Sequence, residues 1–231
     1  MDQFRAHFDE IQNAILAIEY DNTVGSACSC GVVGQTRTCR CLDCFQSSVM
    51  CERCFVLRHQ TLPFHWVEQW NGDFFVRCDI SALGHAIALG HHGELCHNIS
   101  KTTSPLEFLI IHTNGIHKTK MLFCGCIGCG NRIQQLLKAQ LFPATTEQPT
   151  TAFTFSVLRE FHLHTLESAM PAYDYMGALR RLTDNTFTAD VPVSSRLFRL
   201  MTITSNTHFI GFTIPTPSHC SNLESSHDAK A

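Results

Sequence analysis

Cys28-Ser-Cys30, Cys41-Leu-Asp-Cys44, Cys51-Glu-Arg-Cys54, His59 and His65 stand within one stretch of 38 residues. Three close thiol pairs followed by an imidazole pair are the donor types that tetrahedral zinc takes. Each short pair grips an ion from a single turn, and two pairs complete four-coordination. Eight donors therefore specify two zinc ions. Buried free thiols are the plain alternative, since cysteine is a common small core residue. Nothing about core packing explains why such thiols would recur at this spacing and end in histidine. Two pairings satisfy the count. In a sequential arrangement, Cys28/Cys30 join Cys41/Cys44 and Cys51/Cys54 join His59/His65. In an interleaved one, Cys28/Cys30 join Cys51/Cys54 and Cys41/Cys44 join His59/His65. The residues between Cys44 and Cys51 suit a tight hairpin, and Cys51–His59 suits a short helix.

The pattern resembles the zinc fingers of B-box and ZZ type. That resemblance implies the interleaved, cross-brace pairing and a protein-interaction role.

The thiols also bear on compartment. The chain has 231 residues, 13 cysteines and 14 histidines. It opens on polar Met1-Asp2-Gln3 and has no secretory pattern, so the thiols are expected to serve metal in a reducing compartment. No apolar run approaches a membrane span. A formal charge of −3 gives no global basic footprint, so nucleic-acid binding would need a local patch. A hydrophobic share of 44% is ordinary for a folded protein.

N-terminal to the cysteine stretch, Phe4, Phe8, Ile11, Ile15 and Ile18 recur at helical steps. They predict an amphipathic helix over 2–20, capped by Asp2, with its stripe packed on the zinc module or on a partner. After His65, Asn71-Gly72 predicts a two-residue hairpin turn, with Trp70 and Phe75 covering a zinc site. Cys39 is read as packing, and Cys78, with no partner nearby, is left out of the metal ligands.

A second cluster follows. His91, Cys96 and Cys124-Gly-Cys126 could form a third tetrahedral site, with His117 as the alternative imidazole and Cys129 as an alternative ligand or a spare. Residues 108–112 and 118–123 predict a hairpin turning at Asn114-Gly115, closed by the Cys-Gly-Cys pair. Helices are expected at 131–141, ended by Pro143, then from a cap at Thr150 or Thr151 with Phe153 on its stripe. A last helix spans 171–183 with Pro171 in its first turn. Residues 191–214 are mixed, and residues 215–231 are polar and read as disordered.

The chain has no phosphate-binding glycine loop, His-Glu-x-x-His or Gly-x-Ser-x-Gly. A deaminase zinc signature is missing too. No catalytic residue, small-molecule substrate or organic cofactor is assigned. The reading is an α+β chain of small zinc-stabilised modules: a cross-brace finger, a second cysteine cluster on a short β-hairpin, and a C-terminal helical pair. Its divisions fall at 1–22, 23–78, 79–190 and 191–231.

Several motifs in order carry a family likeness: Trp70-Asn-Gly-Asp-Phe-Phe75, Leu89-Gly-His91 with Cys96, Thr113-Asn-Gly-Ile-His117, Phe123-Cys-Gly-Cys126, Gln135-Leu-Leu137, Phe142-Pro-Ala-Thr145, Thr151-Ala-Phe-Thr-Phe155, Ala172-Tyr-Asp-Tyr175 and Leu182-Thr-Asp-Asn-Thr186. From about Cys28 to Met201 they resemble the cysteine-cluster domain that precedes the catalytic part of KDZ (Kyakuja–Dileera–Zisupton) transposases of fungi. The resemblance implies a zinc-binding accessory module, nuclear, engaging DNA or a transposase complex. It also places Cys96, Cys124 and Cys126 on the family's cysteine positions and His91 on its Gly-His position, in keeping with a third site. His97 and His112 depart from the pattern, and past Met201 the likeness stops. The expectation is a truncated or degenerate copy without the catalytic domain. A protein-interaction adaptor is the second reading. A ubiquitin ligase of RING type fits less well, because the spacing is shorter than RING fingers use.

Overall fold

The computed structural model describes residues 2–19, 21–97, 104–192, 199, 201 and 202. The predicted features at 203–231 lie outside them. Two sheets organise the chain, one for each group of cysteines.

The first sheet is an antiparallel meander of β1 (Cys39–Cys41), β2 (Val67–Trp70) and β3 (Phe75–Cys78). Helix α3 (Glu52–Arg58) leans on it. Few side chains are long enough here to build a core. The buried set is Cys28, Cys39, Cys41, Met50, Cys51, Phe55, Val67 and Ile80, half of them thiols. A cluster this small does not hold a fold by apolar burial alone.

The turn between β2 and β3 differs from the sequence expectation. Trp70 pairs with Phe75, so the loop holds four residues and not two. The Asn71 side chain accepts from the N–H groups of Asp73 and Phe74, both at 2.9 Å, and this turn chemistry wins over a tight Asn-Gly turn. Trp70 and Phe75 meet edge to face at 5.2 Å, with Arg40 over Phe75 at 4.1 Å.

The second sheet is larger and mixed, in the order β4-β6-β5-β8-β7. Its strands are β4 (Ile87–Ala88), β5 (Leu106–His112), β6 (Gly115–Leu122), β7 (Leu141–Pro143) and β8 (Thr151–Thr154). The predicted hairpin is its centre. It turns on Thr113-Asn114, with Gly115 already paired to His112. One strand lies in a segment read as helix, and another begins where a helix was expected to end. The helix expected to reach residue 141 is α4 (Arg132–Lys138), with an Asn131/Gln134 capping box. Leu141–Pro143 then pairs with β8 as an edge strand, where proline is tolerated. Thr151–Thr154 is a strand, and helix α5 (Phe155–Ser168) is capped by Thr154, not by Thr150 or Thr151. Ala152 and Phe153 are fully buried, and β-pairing to the centre of the sheet decided their state.

Helix α6 (Ala172–Thr183) follows Pro171, which sits at its N-cap and not inside its first turn. Helices α5 and α6 both pack on one face of the sheet through Ile111, Ile116, Phe153, Val157, Phe161, Tyr175, Met176 and Leu179. Tyr175 lies between them, 5.3 Å from the Phe161 ring. The opposite face buries Leu89, Phe108, Ile110, Met121, Leu136 and Leu141 under α4.

The N-terminal segment forms α1 (Asp2–Ala6) and α2 (Phe8–Ile18). Asp2 is the first helical residue of α1 and not its cap. The expected docking of the apolar stripe on the zinc module does not occur: Phe4, Phe8, Ile15 and Ile18 are each more than half exposed. The contacts from β1 are polar. Arg40 donates to Ile18 O at 2.6 Å and to Glu19 at 3.3 Å.

The two sheets are joined by specific hydrogen bonds. Trp66 Nε1 donates to Asn114 O at 3.0 Å, and Arg77 donates to Leu182 O at 2.6 Å, capping the end of α6. The Arg77 guanidinium also lies 4.2 Å above the Trp66 ring.

Candidate metal centres

Three groups of four donors converge. They are Cys28, Cys30, Cys51 and Cys54; Cys41, Cys44, His59 and His65; and His91, Cys96, Cys124 and Cys126. Within each group all donor atoms lie within 4.8 Å of one another. The first two groups are paired in the interleaved manner. Zinc provides a geometric test. With Zn–S near 2.3 Å and Zn–N near 2.0–2.1 Å, tetrahedral neighbours stand about 3.8 Å apart for two sulfurs and about 3.5 Å for sulfur and nitrogen.

In the first centre, Cys28 and Cys54 Sγ are 3.9 Å apart, as are Cys30 and Cys51 Sγ. Cys51 caps the N-terminus of α3, which sets Cys51 and Cys54 on the first turn facing the Cys28–Cys30 loop. The N–H groups of Cys30 and then Cys51 point at the Cys28 sulfur and hold its thiol down at about 6. Cys54 is pushed up to about 12, chiefly by its side-chain contact with Cys51. Such a cluster cannot carry several thiolates without a cation among them.

In the second centre, Cys44 Sγ lies 3.3 Å from His59 Nε2 and 3.4 Å from His65 Nδ1, and Cys41 Sγ lies 3.4 Å from His65 Nδ1. His59 is buried at the end of α3. Its Nδ1 faces the Phe55 carbonyl at 2.9 Å and its ring stacks on Phe55 at 4.0 Å. A carbonyl accepts only from N–H, so the proton sits on Nδ1 and Nε2 is left as the donor to metal. Burial pushes the His59 imidazole pKa down, and pushes the Cys41 thiol up to about 12.

The third centre is assembled from two loops of the larger sheet. His91 sits in the turn after β4, with Cys124 Sγ at 3.2 Å and Cys126 Sγ at 3.5 Å from its Nε2. Cys96 Sγ is 3.3 Å from Cys126 and 3.5 Å from Cys124. These separations are slightly tighter than a tetrahedral ion sets. Buried Gln135 of α4 holds the loop: it accepts from Cys124 N at 2.8 Å and donates to Cys124 O at 2.9 Å. Gly90 is needed at this point. Its φ is +89°, and a Cβ there would stand 2.9 Å from Cys124 Cβ.

His117 does not join this group. It is buried between Trp66, 4.1 Å away, and Asn114, whose Oδ1 lies 2.8 Å from His117 Nε2. Its Nδ1 lies 3.3 Å from Asp79 Oδ1, without the alignment of a hydrogen bond. Cys39 is fully buried, and burial pushes its thiol up to about 11. Cys78 is partly buried in the same cluster.

The residues that sequence reasoning missed are those that hold the ligands. Phe55 was visible only as an ordinary helix residue, and Gln135 and Gly90 only as members of quoted motifs with no role assigned. Asp43 was visible only as the filler of a Cys-x-x-Cys pair, yet it accepts from Trp66 N at 2.6 Å.

A fold of two small sheets around Cys/His clusters defines a cysteine-rich module with three sets of potential metal ligands. The family model of a CxC2-like cysteine cluster associated with KDZ transposases matches residues 80–187. The match contains the whole third centre and leaves the first two outside. It is narrower than the stretch from Cys28 to Met201 over which motifs were read. The matched domain is an accessory cysteine cluster and not a catalytic domain. No curated protein and no solved structure matches the chain.

Proposed function

We propose that the chain is a zinc-binding accessory module of a KDZ-type transposase and that it helps to hold DNA in the nucleus. The observation that carries the zinc reading is the gathering of three thiolate and imidazole sets, each within 4.8 Å. Sulfur and imidazole donors suit zinc, whereas oxygen-rich sets suit magnesium or calcium. Four protein donors per centre leave no open position, so each ion would stabilise the fold and not carry a reaction. Structural zinc supplies on the order of 10–16 kcal/mol of apparent binding free energy in finger peptides, which would offset the small core of the first sheet.

The DNA reading draws on cations at the surface. Arg53 and Arg58 on α3, Arg132 and Lys138 on α4, and Arg181 on α6 are exposed. Half-buried Arg37 donates to Ala27 O at 3.3 Å. Arg40 is engaged by Glu68 at 2.6 Å and Arg180 by the Thr188 carbonyl, so neither belongs to this set. Binding through such residues releases counterions and weakens steeply with salt. The test is a titration of zinc-loaded protein with duplex DNA at two salt concentrations. Salt-sensitive binding supports the reading, and no binding at the lower salt sinks it.

A protein-interaction adaptor is the second reading, favoured by the exposed stripe of Phe4, Phe8, Ile15 and Ile18. Absence of DNA binding by a metal-loaded, folded chain transfers the assignment to it.

A further inference from the structure

The third centre has one donor too many. Cys126-Ile-Gly-Cys129 is a Cys-x-x-Cys pair that shares Cys126 with Cys124-Gly-Cys126. Cys129 N donates to Cys126 O at 3.2 Å, closing the turn. Cys129 Sγ stands 3.1 Å from Cys124 Sγ, so a fifth thiol touches one member of the set, although it is not gathered with the other three. Tetrahedral zinc takes only four. His91 is the odd member among the five. It supplies the one nitrogen, and it holds a left-handed backbone at φ +44°, a conformation that costs energy for a residue other than glycine. Cys129 is flanked by Gly128 at φ +91° and Gly130 at φ +82°, so its loop has conformations that other residues lack.

We propose that Cys129 is a reserve ligand of the third centre, taking the fourth position beside Cys96, Cys124 and Cys126 whenever His91 leaves it. In the exchange the Cys129 thiol gives its proton to water as the metal–sulfur bond forms. The metal–nitrogen bond to His91 breaks, and the imidazole leaves neutral. No electron is transferred. The centre gains one negative charge and keeps its ion. This assignment rests on the third centre binding metal at all.

The test counts zinc ions per full-length chain by native mass spectrometry. The variants are His91→Gly and His91→Asn, both suited to a left-handed backbone, together with Cys129→Ser and the double variant His91→Gly/Cys129→Ser. The wild type and each single variant should hold three ions, and the double variant should lose one. Two ions in His91→Gly and His91→Asn, with three in the wild type, would overturn the role of Cys129. Three in the double variant would also overturn it, because another donor would then fill the position. Two in the wild type would remove the third centre itself, and the inference with it. Cobalt substitution supplies a readout independent of the count. His91→Gly should show a stronger thiolate charge-transfer band than the wild type, and an unchanged or weaker band counts against the exchange.

Discussion

The side-chain amide of Asn114 donates to the Asp43 carboxylate at 3.0 Å. Asp43 belongs to the Cys41–Cys44 knuckle of the second centre, and Asn114 to the turn at the heart of the larger sheet. The same amide donates to Phe64 O at 2.9 Å, and its oxygen pairs with buried His117. Asn114→Ala would take the partner from His117 Nε2 and leave Asp43 held by Trp66 N alone. We predict a loss of about 2–3 kcal/mol, read as a lowered urea midpoint with bound zinc held constant. An unchanged midpoint would mean the two sheets are not coupled through this residue.

Gly115 lies against that junction at φ +140°. A Cβ there would stand 2.9 Å from Thr183 Oγ1 and 3.0 Å from the Trp66 ring. Thr183 Oγ1 also accepts from Ile116 N at 2.8 Å, so it is not free to move away. Gly115→Ala is expected to cost about 1–3 kcal/mol, and thermal unfolding will measure it. Gly177→Ala on α6, where nothing lies within 4 Å of the added atom, serves as the control.

Removal of metal from the second centre should be felt outside the smaller sheet. Cys44→Ser takes away the donor that faces both His59 and His65. Hydrogen exchange should then quicken along β5 and β6 as well as around α3, because Asp43 loses its fixed place. Quickening confined to residues 28–65 would contradict the coupling.

The pH dependence has a calculable sign. Burial holds His112 at about 4, below its ordinary 6.5, with Thr154 Oγ1 3.0 Å from its Nδ1. Between those values the unfolded chain binds the proton and the folded one does not. Stability from this residue is therefore present above pH 6.5 and is lost as pH falls towards 4, with a slope of at most about 1.4 kcal/mol per unit. His112→Asn should flatten the profile in that window. Chemical denaturation of both proteins at several pH values gives the comparison.

The three sets of potential metal donors were the most legible part of the chain, because donor chemistry shows in residue type and spacing without knowledge of the fold. Choosing His91 over His117 was beyond spacing, since the choice depends on Trp66 and Asn114 walling His117 in. The second sheet was only half legible. Its central hairpin announces itself in the run Phe108-Leu-Ile-Ile. Leu141–Pro143 and Thr151–Thr154 are too short to show a period, and they become strands only because each finds an edge to pair with. The stripe on α1 and α2 was read correctly as amphipathic, but periodicity does not say what an apolar face meets.

The interleaving of the first two centres has a consequence for synthesis. Chain order and ligand order disagree: Cys41 and Cys44 emerge between the two halves of the first centre, and Cys51 and Cys54 between the two halves of the second. No set of four is complete until Cys54 has left the ribosome, and the second waits for His65. For most of that interval the nascent segment presents unpaired thiols, any of which can take an ion with the wrong neighbour. Loading such sets with metal would be a sorting problem in time, tied to when α3 forms and brings Cys51 and His59 to their partners at its opposite ends.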